Sequence, residues 1–186
     1  MKSLILMFSL NLFLVSACDA KDTYIDYHFM NSHNLCLPES SVSIVNRKSN
    51  IVKDVAFTLN INNSFYLISA SVVPPVQKWR VFNELVKQTQ QSPEYINELN
   101  LYKAYTDLNK EDWWLFRDLD TNTPSFYAAF CVDGFGTDYS CSWQLKYNGL
   151  TFEYTLSPKD LKNWKDIESK IINLLQLWNS NCPAKL

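Results

Sequence analysis

The sequence predicts an α+β domain, antiparallel sheets with packed amphipathic helices, and three observations predict it. Two turn signals, Asn62-Asn63-Ser64 and Asn148-Gly149, each stand between runs of β-branched and aromatic residues, the arrangement of a β-hairpin. After each hairpin a proline stops the strand, at Pro74-Pro75 and at Pro158. Beyond each proline, apolar residues recur at spacings of three and four, as they do along one side of a helix.

Taken in chain order, Tyr24, Ile25, Tyr27 and Phe29 begin the folded part with a period-two pattern, and a first strand is expected there. Asn31 to Asn34 break it. Past Cys36 and Pro38 a polar loop leads to a short strand at Ser41 to Val45. Val55 to Ile61 and Phe65 to Val73 make the first hairpin, because asparagine tolerates the positive φ that a tight turn demands. A helix is expected over Val76, Trp79, Phe82, Leu85 and Val86. A second helix is expected from Ser92-Pro93-Glu94, with Ser92 as its cap and Ile96, Leu99 and Tyr102 along one side. Trp113 to Phe116 is read as a strand ending near Asp118.

A second β region follows over Ser125 to Val132, Ser140 to Tyr147 and Leu150 to Leu156, punctuated by Gly134 and Gly136. Ser157 then caps a final helix whose stripe is Leu161, Trp164, Ile167, Ile171, Leu174 and Trp178, with Lys162, Lys165, Asp166 and Lys170 on the other side and Asn179 to Asn181 at its end. The halves answer one another. Phe57 to Asn63 parallels Trp143 to Gly149, and each expected helix carries an early tryptophan, Trp79 or Trp164, so the sequence reads as a pseudo-repeat of a meander-plus-helix unit.

The N-terminus sets the address. Lys2 and the apolar run Leu4 to Val15 have the length of a signal peptide and are too short to span a bilayer. The run ends in Val15-Ser16-Ala17-Cys18, which resembles the lipobox of bacterial lipoproteins. That resemblance implies removal of residues 1–17, lipidation of Cys18, a short tether over 18–23, and a single domain over 24–186 facing the periplasm. Two or more acyl chains, at about 0.8 kcal/mol per buried methylene, hold a protein stably on a membrane. Asp19 is similar to an inner-membrane retention signal of enteric bacteria, which leaves inner and outer membrane both open.

Setting Cys18 aside leaves four of the five cysteines, Cys36, Cys131, Cys141 and Cys182, an even set suited to two disulfides in an oxidising envelope. Of three pairings, Cys131 with Cys141 and Cys36 with Cys182 is favoured. The first straps a short hairpin, for about 3 kcal/mol in the chain-entropy model, and the second ties the ends of the domain together, for about 5 kcal/mol. Close C-x2-C pairs of the kind that hold zinc are absent.

Losing residues 1–17 removes one basic residue, Lys2, so the formal charge moves from −2 to −3. That weak acidic balance argues against nucleic acid as a partner. The roughly 170 residues left suffice for one compact domain, and the whole chain's 6 Trp, 10 Tyr and 11 Phe, of which only Phe8 and Phe13 fall within residues 1–17, leave aromatic side chains both for a core and for a binding face.

Catalytic and metal motifs do not emerge. His28 and His33, spaced across a strand and loop, are read as surface histidines. Asp118, Asp120 and Asn122 begin like a calcium loop, but Thr123 replaces its glycine and Ala129 its glutamate. The three glycines of the chain build no phosphate-binding loop and no G-x-S-x-G elbow exists. Glu111 with Asp112, or Asp118 with Asp120, are the carboxylate pairs a hydrolase would draw on. The expectation is therefore of binding, with no catalytic residue, no metal and no cofactor. The candidate surface is the loop Asp133, Phe135, Asp138 and Tyr139, preorganised by the Cys131–Cys141 strap.

With Val15 to Cys18, the Cys131 and Cys141 hairpin, and the ending Phe152 to Pro158 followed by Leu161, Trp164 and Ile167, the chain resembles small Gram-negative lipoproteins that serve as immunity proteins or inhibitors against periplasm-acting toxins, of the type VI secretion effector–immunity kind. The resemblance implies occlusion of a toxin or envelope enzyme. An assembly or scaffold lipoprotein and a cell-wall hydrolase are the competing expectations.

Overall fold

The structure is a computed structural model, which describes residues 23–30, 33–48, 51–72, 89, 91–106, 108–119, 127–134 and 138–182. Strands β1 (Tyr24–His28) and β2 (Asn34–Pro38) form a two-stranded antiparallel sheet. A 3₁₀ turn over Glu39–Ser41 leads to β3 (Val42–Lys48), β4 (Ile51–Ile61) and β5 (Ser64–Ser71). Then come β6 (Glu94–Ile96), β7 (Leu101–Tyr105), β8 (Asp112–Phe116), β9 (Tyr127–Asp133), β10 (Tyr139–Tyr147) and β11 (Leu150–Leu156), followed by helices α1 (Pro158–Leu161) and α2 (Trp164–Ser180).

Strands β3 to β11 make one nine-stranded antiparallel sheet in the order β3-β4-β5-β11-β10-β9-β8-β7-β6. Two meanders, β3 to β5 and β6 to β11, are joined where β11 pairs with β5 through Phe152↔Ala70. The chain leaves β5 in mid-sheet and re-enters at the far edge as β6. The expected α+β fold, antiparallel sheets with packed amphipathic helices, is thus incorrect: the protein is mostly β, with one nine-stranded antiparallel sheet and helices α1 and α2 following β11.

The element that misled is 92–105. Its apolar spacing reads as a helix, yet Glu94–Ile96 and Leu101–Tyr105 are paired strands with Tyr95 opposite Tyr102, their rings 4.9 Å apart. Between them the Ile96 carbonyl accepts from the N–H groups of Leu99 and Asn100, a single helical turn that Asn100 ends at φ 55°. One such turn flanked by aromatic strand formers mimics a helical stripe. The helix expected over Val76 to Val86 lies outside the described residues. The meander-plus-helix repeat is corrected with the fold class; among the described residues the halves share a hairpin turn, Asn62 (φ 54°) and Asn63 (φ 63°) in one, Asn148 (φ 48°) and Gly149 (φ 74°) in the other.

Two further differences are local. Asn34 was expected to break a strand and instead begins β2, and β3 extends to Lys48 rather than stopping at Val45. At the C-terminus, Ser157 accepts a hydrogen bond from the Asp160 N–H (3.2 Å), and Pro158 occupies the first helical position, as expected. The helix then breaks at Lys162-Asn163 and restarts as α2.

The core lies between α2 and one side of the sheet. Val55, Phe57, Leu59 and Ile61 of β4, Tyr66, Ile68 and Ala70 of β5, Phe152 and Tyr154 of β11, and Trp143 and Leu145 of β10 all point there and are buried with Ile167, Ile171 and Leu175 of α2. Phe57 meets Trp178 edge-on at 6.0 Å. Each such large side chain contributes about 1.5–3 kcal/mol by leaving water. β2 packs on α2, and the pairs Cys36–Cys182 and Cys131–Cys141 stand at disulfide distance, the first stapling β2 to the end of α2 and the second joining register partners on β9 and β10. No helix among the described residues is long and apolar enough to cross a membrane.

Candidate functional site

The strapped hairpin forms a rim at one end of the sheet. Below the Cys131–Cys141 pair the chain turns at Gly134, whose N–H donates to the Asp138 carbonyl at 2.8 Å. A Cβ at Gly134 would fall 2.8 Å from that same oxygen, so the closure admits only glycine without a shift. Asp133 and Asp138 are exposed and Tyr139 is half-buried, while Phe135 lies outside the described residues. The Asp133 N–H donates to the Glu111 carbonyl (3.2 Å), which sets the rim beside the turn between β7 and β8.

That neighbouring turn brings an aromatic and cationic group. Tyr139 meets Trp113 of β8 edge-on at 5.0 Å, and the Lys103 ammonium stands 4.1 Å from the Trp113 ring centre and 4.3 Å from that of Tyr105. The Lys110 ammonium stands 5.3 Å from the Tyr105 ring centre. Partial burial pushes the Tyr139 hydroxyl pKa up from its ordinary value. Aromatic rings pinned by ammonium groups and a disulfide, with carboxylates of Glu111, Asp112, Asp133 and Asp138 around them, are suited to recognition of a partner surface. Of the carboxylate pairs singled out above, Glu111 and Asp112 are at this rim, Asp118 is at the opposite end of β8, and Asp120 and Asn122 lie outside the described residues.

The histidines are not brought together. His28 Nδ1 is 2.8 Å from Asn34 Oδ1 and its Nε2 is 3.6 Å from Asp26. His33 packs over the β10–β11 turn, so close that a Cβ at Gly149 would lie 2.1 Å from its Nε2. Among the described residues no three His, Cys, Asp or Glu side chains are grouped as metal ligands.

A second surface was missed by the sequence reading. The side of the sheet opposite α2 carries Ile44, Leu67 and Phe65, which are 62%, 60% and 75% exposed. The register places all three on that side: Leu67 and Phe65 stand two positions apart on β5 opposite Thr58 and Asn60, and Ile44 stands two strands away on β3 opposite Ala56, with β4 between them. Polar groups frame them, including the Ser43–Thr58 hydroxyl contact at 3.2 Å and Glu153, which accepts from Ser142 at 2.7 Å. Farther along the same side, Ala104 and Phe116 are buried, so the bare apolar patch belongs to the β3–β5 half. The signal was available in Phe65-Tyr66-Leu67-Ile68, an unbroken apolar run that leaves both sides of a strand apolar.

Under α2 lies a charged cluster of a different kind. Arg117 pairs with Glu168, which also accepts from Trp143 Nε1 at 3.0 Å, and the guanidinium stands 5.4 Å and 5.5 Å from the Trp143 and Trp164 rings. Trp164 Nε1 donates to the Leu99 carbonyl at 2.8 Å, tying the β6–β7 turn to the start of α2. Burial, and next the Glu168 charge, push the neighbouring Tyr154 hydroxyl pKa far up. This cluster fastens α2 to the sheet. No family model, no curated protein and no solved structure matches this chain.

Proposed function

We propose that this protein is a non-enzymatic envelope lipoprotein, held at a membrane through lipidated Cys18, that binds and occludes another protein in the manner of an immunity protein or inhibitor. The single observation that carries the binding reading is the patch of Ile44, Leu67 and Phe65. Three large apolar side chains stand 62%, 60% and 75% exposed on one side of the sheet. Burial of Phe65 and Leu67 against a partner would contribute about 1.5–3 kcal/mol each, and a sheet needs little rearrangement to receive it. The rim with Asp133, Asp138 and Tyr139 offers polar and charged contacts of the sort that select a partner.

The tether supports capture over catalysis at a distance. Thr23 is five positions beyond Cys18, a reach of about 17 Å, so a lipidated protein would meet its partner next to the bilayer. A toxin or an envelope enzyme acting there is the expected occupant. The test is recovery of partners from the native envelope with the mature chain carrying Cys18→Ser. One toxin-like protein at near-stoichiometric yield, lost when Leu67→Asp and Phe65→Asp are introduced, supports the reading. Turnover of peptidoglycan or lipid by the purified protein would sink it.

A further inference from the structure

The end of the β3–β4 hairpin differs in charge from the rest of the chain. Over 47–54 the sequence reads Arg-Lys-Ser-Asn-Ile-Val-Lys-Asp, three cations against one acid, in a chain whose formal charge is −2. Register pairs Arg47 with Val52 and Lys48 with Ile51, and the bridge between Phe29 and Val52 brings the end of β1 alongside. Arg47 and Lys53 are exposed, and beside them Met30 and Ile51 remain 57% and 40% exposed. Asp54, the one acid, is taken up by Asn46 at 3.2 Å.

We propose that this hairpin end, through Arg47, Lys53, Ile51 and Met30, is a membrane-docking surface that rests on anionic phospholipid headgroups. Arg47 stands on the side of its partner Val52 and Lys53 on the other side with Ile51, so the hairpin end carries a cation on each side with exposed apolar groups beside it. Such an end matches an anionic interface, where the ammonium and guanidinium groups meet phosphate and the apolar groups enter the headgroup boundary. The chain before the fold supplies the second reason. Cys18 is five residues from Thr23, about 17 Å at most, and from Thr23 the strand β1 runs about 20 Å to Phe29, which touches the patch at Val52. A domain held that closely lies against the bilayer, and this hairpin end is the basic, apolar surface its first strand leads to. Docking would fix which side faces outward, leaving the Ile44, Leu67 and Phe65 patch in a set orientation. The geometric part of the proposal rests on the lipoprotein reading of Cys18, while the lipid affinity of the patch does not.

The experiment is cosedimentation of the mature chain carrying Cys18→Ser with vesicles of phosphatidylglycerol and phosphatidylcholine, against vesicles of phosphatidylcholine alone. Each surface cation is worth about a fivefold gain in partitioning onto an anionic bilayer, so binding to the anionic vesicles is expected to exceed that to neutral ones by tenfold or more, and to fall in 0.5 M salt, a concentration chosen to be of order that which screens such charges. Arg47→Glu with Lys53→Glu should abolish the difference, and Arg47→Ala with Lys53→Ala, a milder pair, should reduce it about tenfold. Lys159→Glu with Lys162→Glu changes the net charge equally at the other end of the molecule and should leave it intact. Equal binding to both vesicles, no binding at all, or equal losses in both charge-reversed variants would overturn the proposal. Labelling of the full-length chain with radioactive palmitate tests Cys18 by itself: a labelled protein whose soluble form ignores anionic vesicles keeps its anchor and loses the docking surface, and an unlabelled one loses the anchor whatever the vesicles show.

Discussion

The two sides of the nine-stranded sheet are built from neighbouring residues of the same strands, yet they differ in what they meet. On β5, Tyr66, Ile68 and Ala70 are buried under α2, whereas Phe65 and Leu67 between them are bare. A residue's chemistry does not separate these groups, since Phe65 is as apolar as Phe57. What separates them is that α2 covers one side of β5, whereas Phe65 and Leu67 on its other side are 75% and 60% exposed and so are available to bind something else.

The sharpest way to break this comparison is to empty the covered side. Trp143 is fully buried between β11 and α2 and donates to Glu168. Trp143→Ala should therefore cost about 3–5 kcal/mol in urea unfolding, with an unchanged dependence on denaturant. Next in size is the pair that clips α2 down. Glu168→Ala leaves Arg117, whose side chain is only 18% exposed, without its carboxylate, and also removes the acceptor of Trp143. A loss of about 3 kcal/mol is expected, at the low end for a buried pair because both groups retain some water. A loss under about 1 kcal/mol would mean that α2 is held by packing alone.

Alkali offers a third test, because two tyrosines on the covered side resist ionisation. Burial, together with the Asp160 charge, pushes Tyr66 up to about 12, and burial and Glu168 push Tyr154 further still. The unfolded chain gives up these protons near pH 10. Above that pH the folded state binds more protons than the unfolded one, so their contribution to stability is complete below pH 10 and is lost as the pH rises toward 12 and beyond. Spectrophotometric titration should show tyrosinate from Tyr66 and Tyr154 appearing only as the protein unfolds. Tyr66→Phe with Tyr154→Phe should make stability fall less steeply between pH 10 and 12.

How much of this was legible beforehand follows from the range of the interactions involved. The Asn62-Asn63 and Asn148-Gly149 turns, the Ser157 cap and most strands were read correctly, because turn dihedrals and caps depend on a few adjacent residues. The favoured cysteine pairing agrees with the pairs at disulfide distance. The 92–105 region was misread because one turn of helical hydrogen bonding between aromatic strands has the same apolar spacing as a helix face. That β11 would pair with β5, fusing two meanders into one sheet, lies on a contact between distant segments, and nothing local encodes it. The rim loop was legible from its cysteines, whereas the Lys103, Tyr105 and Trp113 stack beside it needed the register of β7 on β8.

The smallest expected effect on stability belongs to the bare side, and it decides what that side is for. Phe65→Ala and Leu67→Ala remove side chains that are already mostly in water, so each should change unfolding stability by no more than about 0.5 kcal/mol. Neither substitution leaves a cavity or an unpaired polar group. Their size contrasts with Phe57→Ala, one strand away and fully buried, where about 3–5 kcal/mol should go. If Phe65→Ala or Leu67→Ala instead cost more than about 1.5 kcal/mol, these side chains are covered in solution and the patch cannot serve as a docking face. Near-neutral values, measured in the same urea experiment, would leave exposed apolar residues that contribute nothing to folding. A partner seated on this side would then give Phe65 and Leu67 the burial that the fold itself withholds from them.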